Sequence, residues 1–134
     1  MKRQQDTQRI IKKCPKGYKY YTATILSQSR VVVDGESNKM KPCTLIWHLL
    51  KAKTHKEAIR LANKIGKSQE VSYKNTDGNM VHVEFVGIMD LVESTFHLEH
   101  FDEPWVWSGN MLNPMERKDK LTASDEELMK RLTM

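Results

Sequence analysis

The stretch Ser72–Val92, SYKNTDGNMVHVEFVGIMDLV, decides the fold. Two extended apolar segments flank Asn75-Thr76-Asp77-Gly78. In the second segment Val81, Val83 and Phe85 alternate with His82 and Glu84, the period of two expected of a half-buried strand. Asn, Asp and Gly tolerate the positive φ that a tight reversal needs, so the stretch reads as a β-hairpin. Its second strand extends from Met80 to about His97, which is long for one strand, and Gly87 is the natural place for a bulge or bend. Beyond Phe85 both faces are apolar, with Val86, Ile88 and Val92 opposite Phe85, Met89 and Leu91. This is the pattern of a central strand covered on both sides.

Working back from the hairpin, Thr54-His55-Lys56-Glu57 fits a capping box that opens a helix. Ala58, Leu61, Ala62 and Ile65 fall on one helical stripe, and Gly66 suits the left-handed residue just past a helix end. Lys56, Arg60, Asn63, Lys64 and Lys67 take the solvent side. Cys43–Ala52, CTLIWHLLKA, precedes this helix as a strand that starts after Pro42. Ile46, Leu50 and Ala52 lie on one of its faces and Leu45, Trp47 and Leu49 on the other. The first strand covers Gly17–Leu26, with its pattern continuing through Val31–Val33 to the turn cluster Asp34–Asn38.

Working forward, Asp102-Glu103-Pro104 is a break, Trp105-Val106-Trp107 is short and apolar, and Asn113-Pro114 breaks again. Ser124-Asp125-Glu126-Glu127 is a second capping box, opening a short helix with Leu128, Met129 and Leu132 on one side. The elements assemble as α+β: a four-stranded, mainly antiparallel sheet (β-β-α-β-β) with one main helix on one face and a short C-terminal helix. The divisions are a basic arm over residues 1–17, a core domain over 18–101, and an irregular segment with a short helix over 102–134. The sheet face carrying Trp47 and Leu49 needs a cover, either the Trp105–Trp107 segment folded over it or a second subunit.

Composition fits one globular domain: 134 residues, 39% hydrophobic and 29% charged. No apolar run approaches the roughly 20 residues that span a bilayer, and the N-terminus lacks the apolar core of a secretion signal. The expected compartment is the cytoplasm, with Cys14 and Cys43 as reduced thiols. Net charge is +5 and uneven: +5 over residues 1–17, +3 over 18–97 and −3 over 98–134.

Tyr21-Thr22-Ala23, Ala52 with Glu57-Ala58, Gly66-Lys67, Ser72-Tyr73-Lys74-Asn75 with Gly78, and Phe85-Val86-Gly87-Ile88-Met89-Asp90-Leu91 follow in an order that resembles the bacterial domain of unknown function 4288 family. The resemblance covers roughly residues 20 to 98. It implies the fold, and no activity or catalytic residues come with it.

The chemistry-bearing residues form no strong motif. His97-Leu98-Glu99-His100-Phe101-Asp102 holds metal-binding side chains, but an extended segment points His97 and His100 apart. Cys43 and His48 fall on opposite faces of one strand, as do Glu84 and Glu93 of another. There is no P-loop and no dinucleotide fingerprint, so no cofactor is expected. The expected function is non-catalytic: a binding protein that forms homo-oligomers or meets a protein partner through Trp47, Leu49, Trp105 and Trp107, away from membranes. The alternative is an RNA- or DNA-binding module that uses strand aromatics and lysines, chiefly Lys51, Lys53, Tyr73 and Lys74, with the basic arm.

Overall fold

The computed structural model describes residues 16–94 and 105–134. Five strands form one antiparallel sheet: β1 (Lys19–Val32), β2 (Met40–Ala52), β3 (Val71–Lys74), β4 (Met80–Ser94) and β5 (Trp105–Leu112). Their order across the sheet is β3-β4-β1-β2-β5. Three helices complete the described residues: α1 (His55–Ser68), the single turn α2 (Lys118–Leu121), and α3 (Asp125–Thr133). The α+β class and the antiparallel sheet are as expected, and the strand count is corrected from four to five. Trp105–Trp107 begins β5 and extends the sheet beside β2, so it does not fold over a face. His97–Asp102 and the arm up to Pro15 lie outside the described residues.

The hairpin forms as its sequence dictates. Asn75 Oδ1 accepts hydrogen bonds from the backbone N–H groups of Asp77 (3.0 Å) and Asn79 (2.9 Å), and Gly78 takes φ +82°. These side-chain bonds replace ladder bonds at the tip and fix the reversal. The same logic closes Val33–Glu36, where Asp34 and Gly35 both take positive φ (51° and 81°), as a two-residue hairpin turn demands.

β1 is the centre of the sheet, buried from Tyr21 to Gln28, with β2 on one side and β4 on the other. Register divides the side chains into two faces. Tyr21, Ala23 and Ile25 share the front face with Leu50, Ala52, Ile88 and Leu91, and pack against Ala58, Ile59 and Ala62 of α1 and Leu128 of α3. Leu26, Cys43 and Val86 form a smaller cluster on the back, completed by Leu45, Met89, Met111 and Leu121.

Two register shifts in the β1–β4 ladder, between Thr24 and Ile25 and between Leu26 and Ser27, are β-bulges that leave Met89 and Val86 without a partner. They correct the expected alternation. Phe85, Ile88 and Leu91, three residues apart, all come to the front, whereas strict alternation would send Ile88 to the back. β2 begins at Met40, earlier than Pro42 suggested. The β1–β2 register stops at Gln28↔Cys43, so Met40–Pro42 pairs with β5 alone and a proline's missing N–H disturbs no second ladder.

The hydroxyl half of each expected capping box forms: Thr54 Oγ1 accepts from Glu57 N–H (3.1 Å) and Ser124 Oγ from Glu127 N–H (3.2 Å). Gly66 has a different role from the one expected. α1 continues to Ser68 and ends at Gln69, and the Phe85 ring lies so close to Gly66 that an added Cβ would sit 2.3 Å from it. This glycine admits an aromatic ring to the helix, and it does not end the helix.

β4 is not central along its whole length. β3 pairs with it only from Met80 to Val83, so its outer edge is open from Glu84 onward. Three groups occupy that edge: Glu70 Oε2 accepts from Phe85 N–H (3.3 Å), Ala123 N–H donates to the Ile88 carbonyl (2.8 Å), and Arg131 Nη1 donates to the Met89 carbonyl (3.2 Å). The segment between α2 and α3 thus crosses the edge of β4, carrying the chain from the back cluster at Leu121 to the front core at Ala123 and Leu128. Gly87 makes the crossing close, because a Cβ there would meet Thr122 Cβ at 2.9 Å. Gly87→Ala is therefore expected to lower stability by about 1–3 kcal/mol, from overpacking against backbone-proximal atoms. Urea unfolding measures this, and an unchanged midpoint would mean that the crossing segment does not bear on β4.

Candidate interaction surface

The back face is covered unevenly. Leu26, Cys43 and Val86 are buried beneath Leu121 and its neighbours. Toward the other end Trp47 and Leu49 are half-buried, on the same face as Thr22 and Thr24. β5 extends this surface: Trp105 stands opposite Trp47 in register and Trp107 opposite Leu45. Trp107 is 42% exposed and lies along its own strand, its ring against Gly109, where a Cβ would be 2.4 Å away. The sequence-derived set Trp47, Leu49, Trp105 and Trp107 is thus brought to one end of the sheet, on β2 and β5.

Exposed apolar side chains concentrate at this border. Val106 (57%), Trp107, Leu112 and Met40 are all on β5 or paired with it. The sequence reading leaves out Leu112, because Ser108-Gly109-Asn110 looks like the end of an apolar run, and Met40, because the second strand is expected to start after Pro42. Reading Trp105–Leu112 as one strand with a polar middle would have found Leu112 and placed Val106 on the face with it. A second exposed group, Val33, Val71, Tyr73 and Met80, gathers at the tip around β3.

The nucleic-acid set is not brought together. Lys51 pairs opposite Tyr20 at one end of β1, while Tyr73 pairs with Val81, which pairs with Val31 at the other. Eleven residues of β1 separate the two ends, roughly 35 Å at the rise of a strand. Lys51 and Lys53 instead share one ring, their Nζ atoms 5.3 and 5.2 Å from the centroid of Tyr18. Those cation–π contacts occupy the aromatic face that a base would stack on.

Titratable groups are engaged in structural pairs. Glu84 accepts a forked pair of bonds from Arg30 (3.0 and 3.2 Å) and a third from Gln28 Nε2 (2.8 Å). The Arg30 hydrogen bonds, then the Gln28 one, hold its carboxyl below the usual range against the opposing effect of burial. Glu93 pairs with Lys19 and Asp90 with Arg131, so these acids do not converge on a common cleft. The Tyr21 hydroxyl meets His55 Nδ1 at 2.9 Å and ties the start of α1 to the sheet. Burial, followed by the charges of Glu93 and Glu57, pushes this phenol up, so it stays protonated. Cys43 is a free, buried thiol whose pKa burial raises, the opposite of what a nucleophile requires. It points to the back and His48 to the front. Among the described residues, no three His, Cys, Asp or Glu side chains gather in a way that would hold a metal ion, and no helix is long and apolar enough to cross a membrane.

The fold and its surfaces can be set beside known proteins. A family model described as a domain of unknown function (DUF4288) matches residues 20–103. The chain belongs to this family. The match runs from β1 through β4 and stops short of β5, so Val106, Trp107 and Leu112 lie beyond it. No curated protein and no solved structure matches the chain.

The Glu84 cluster gives a pH test. A carboxyl whose folded pKa is lowered contributes stability above its unfolded value and loses it as pH falls through the folded value. Glu84→Gln is expected to be less stable than wild type at neutral pH, the gap closing as the solution is acidified. Urea unfolding across a pH series reads this directly, and a gap independent of pH would show that the ionised state of Glu84 contributes nothing to folding.

Proposed function

We propose that this DUF4288 protein is a non-catalytic interaction module that self-associates through the β2–β5 side of its sheet. The observation that carries this reading is the concentration of exposed apolar side chains on β5, with Trp107 and Leu112 at 42% and 45% exposure and Val106 higher still. Scattered apolar residues on a surface need no explanation, whereas several of them on one outermost strand are in keeping with an interface. Trp47 and Leu49 sit beside this border and extend it across the back face. Burying a tryptophan there contributes on the order of 2–3 kcal/mol to association. Nucleic-acid binding has less support, because Lys51 and Lys53 are far from Tyr73 and Lys74 and are engaged with Tyr18.

Sedimentation velocity across a wide protein concentration range tests the reading. Wild type is expected to form a dimer, and Trp107→Glu to sediment as a monomer with a melting temperature close to wild type. A wild-type monomer throughout the range, or salt-sensitive retention on nucleic acid by a monomer, would sink it.

A further inference from the structure

We infer that β5 is a self-complementary edge: it pairs antiparallel with β5 of a second copy about Gly109, joining the two sheets into one. The inference rests on the self-association proposed above and specifies its geometry.

The first observation is the contrast between the two sides of the sheet. Where β4 runs beyond β3, its edge is occupied by Glu70, Ala123 and Arg131. β5 is the outermost strand at the opposite side, and its sequence WVWSGNML contains no charged residue and no proline. Charges, prolines and covering segments are the devices that keep an edge strand from pairing with another chain. Among the described residues, the one side-chain bond to the β5 backbone is from Arg117 Nη1 to the Leu112 carbonyl (2.9 Å), at its last residue.

The second observation is that the strand reads nearly alike in both directions. About Gly109 it runs Val106-Trp107-Ser108 on one side and Asn110-Met111-Leu112 on the other. Antiparallel pairing about a two-fold axis perpendicular to the sheet keeps each face continuous, so residues placed opposite one another must share a face. Pairing centred on Gly109 satisfies this. Val106 comes opposite Leu112 on the front, Ser108 opposite Asn110 between them on that face, and Trp107 opposite Met111 on the back. Apolar meets apolar and polar meets polar at each position, the arrangement in which cross-strand pairs stabilise a ladder. An isologous contact of this kind closes as a dimer and leaves no edge for a third copy.

The third observation is Gly109 itself. The Trp107 ring occupies the space a side chain would take there. At the two-fold axis the two glycines face each other, and each ring lies along its own strand beside the crossing point. The two back faces then form one aromatic surface that runs from Trp47 of one copy to Trp47 of the other. A foreign extended strand could add to the same edge, but it would have no reason to match this internal symmetry.

The test uses paired charges on two exposed positions. In Val106→Lys/Leu112→Lys, each lysine of one copy opposes a lysine of the other, and the dimer is expected to weaken roughly tenfold or more. In Val106→Lys/Leu112→Glu, each lysine opposes a glutamate, and dimerisation is expected to return. Circular dichroism confirms that both variants fold, and hydrogen exchange should show β5 amides protected in wild type at high concentration and released on dilution. A dimer that persists in the double-lysine variant with β5 amides unprotected overturns the edge, while self-association through the Trp47 face stands. Loss of the dimer in both variants overturns the register about Gly109. A wild-type monomer at every concentration overturns the reading beneath it as well.

Discussion

Two unpaired residues in β4, Val86 and Met89, set the shape of this domain. Each bulge shifts the ladder against β1 by one position, and together they bring Phe85, Ile88 and Leu91 to the same face. Without them Ile88 would turn to the back, and the front core beneath α1 would lose its contribution from the middle of the strand. Bulges also increase local twist and bend a strand. Here that bend falls at Gly87, where the C-terminal segment crosses the edge and lays Thr122 against the backbone. The position of α3, the closing of the β4 edge and the filling of the front core all follow from the same two irregularities.

The helix packs under a related constraint. Phe85 is brought forward by the bulged register, and its ring needs room at α1. Gly66 supplies that room near the end of the helix, at a cost of about 1 kcal/mol in helix propensity. The helix tolerates this because Thr54 caps its start, Gln69 ends it with a backbone bond to the Gly66 carbonyl (3.2 Å), and Tyr21 holds His55 from below. The domain therefore depends on close backbone approaches at glycines as much as on large apolar side chains.

The local features of the fold were legible in the sequence, and the non-local ones were not. The Asn75–Gly78 turn, the Thr54 and Ser124 helix caps and the two faces of β2 each depend on residues within a few positions of one another, and each formed as read. The bulges were hidden because Val86–Val92 is apolar throughout, so a slipped register changes no letter of the pattern. β5 was missed because Ser108-Gly109-Asn110 interrupts its apolar character, although a glycine under a tryptophan ring belongs in a strand. The Gln28–Arg30–Glu84 cluster was invisible because Glu84 is more than fifty residues from the other two. The exposed border shared the first two difficulties: Trp47 and Leu49 could be placed on the back face, but nothing local said that Val106 and Leu112 would stand exposed on the front of a fifth strand.

The place of β1 at the centre of the sheet also bears on how the chain reaches its folded state. β1 and β2 are joined through a short connection and can pair early, whereas the partner on the other side, β4, arrives from far along the chain: Tyr20 pairs with Ser94. Closing so long a loop is slow relative to forming a hairpin. Until it closes, the most buried strand of the final structure has one backbone edge open, and Ala23, Ile25 and Leu26 lack the neighbours that β4 supplies. The interval between the first hairpin and the docking of β4 is thus when this chain is most exposed to wrong pairing, at its centre and not at its rim.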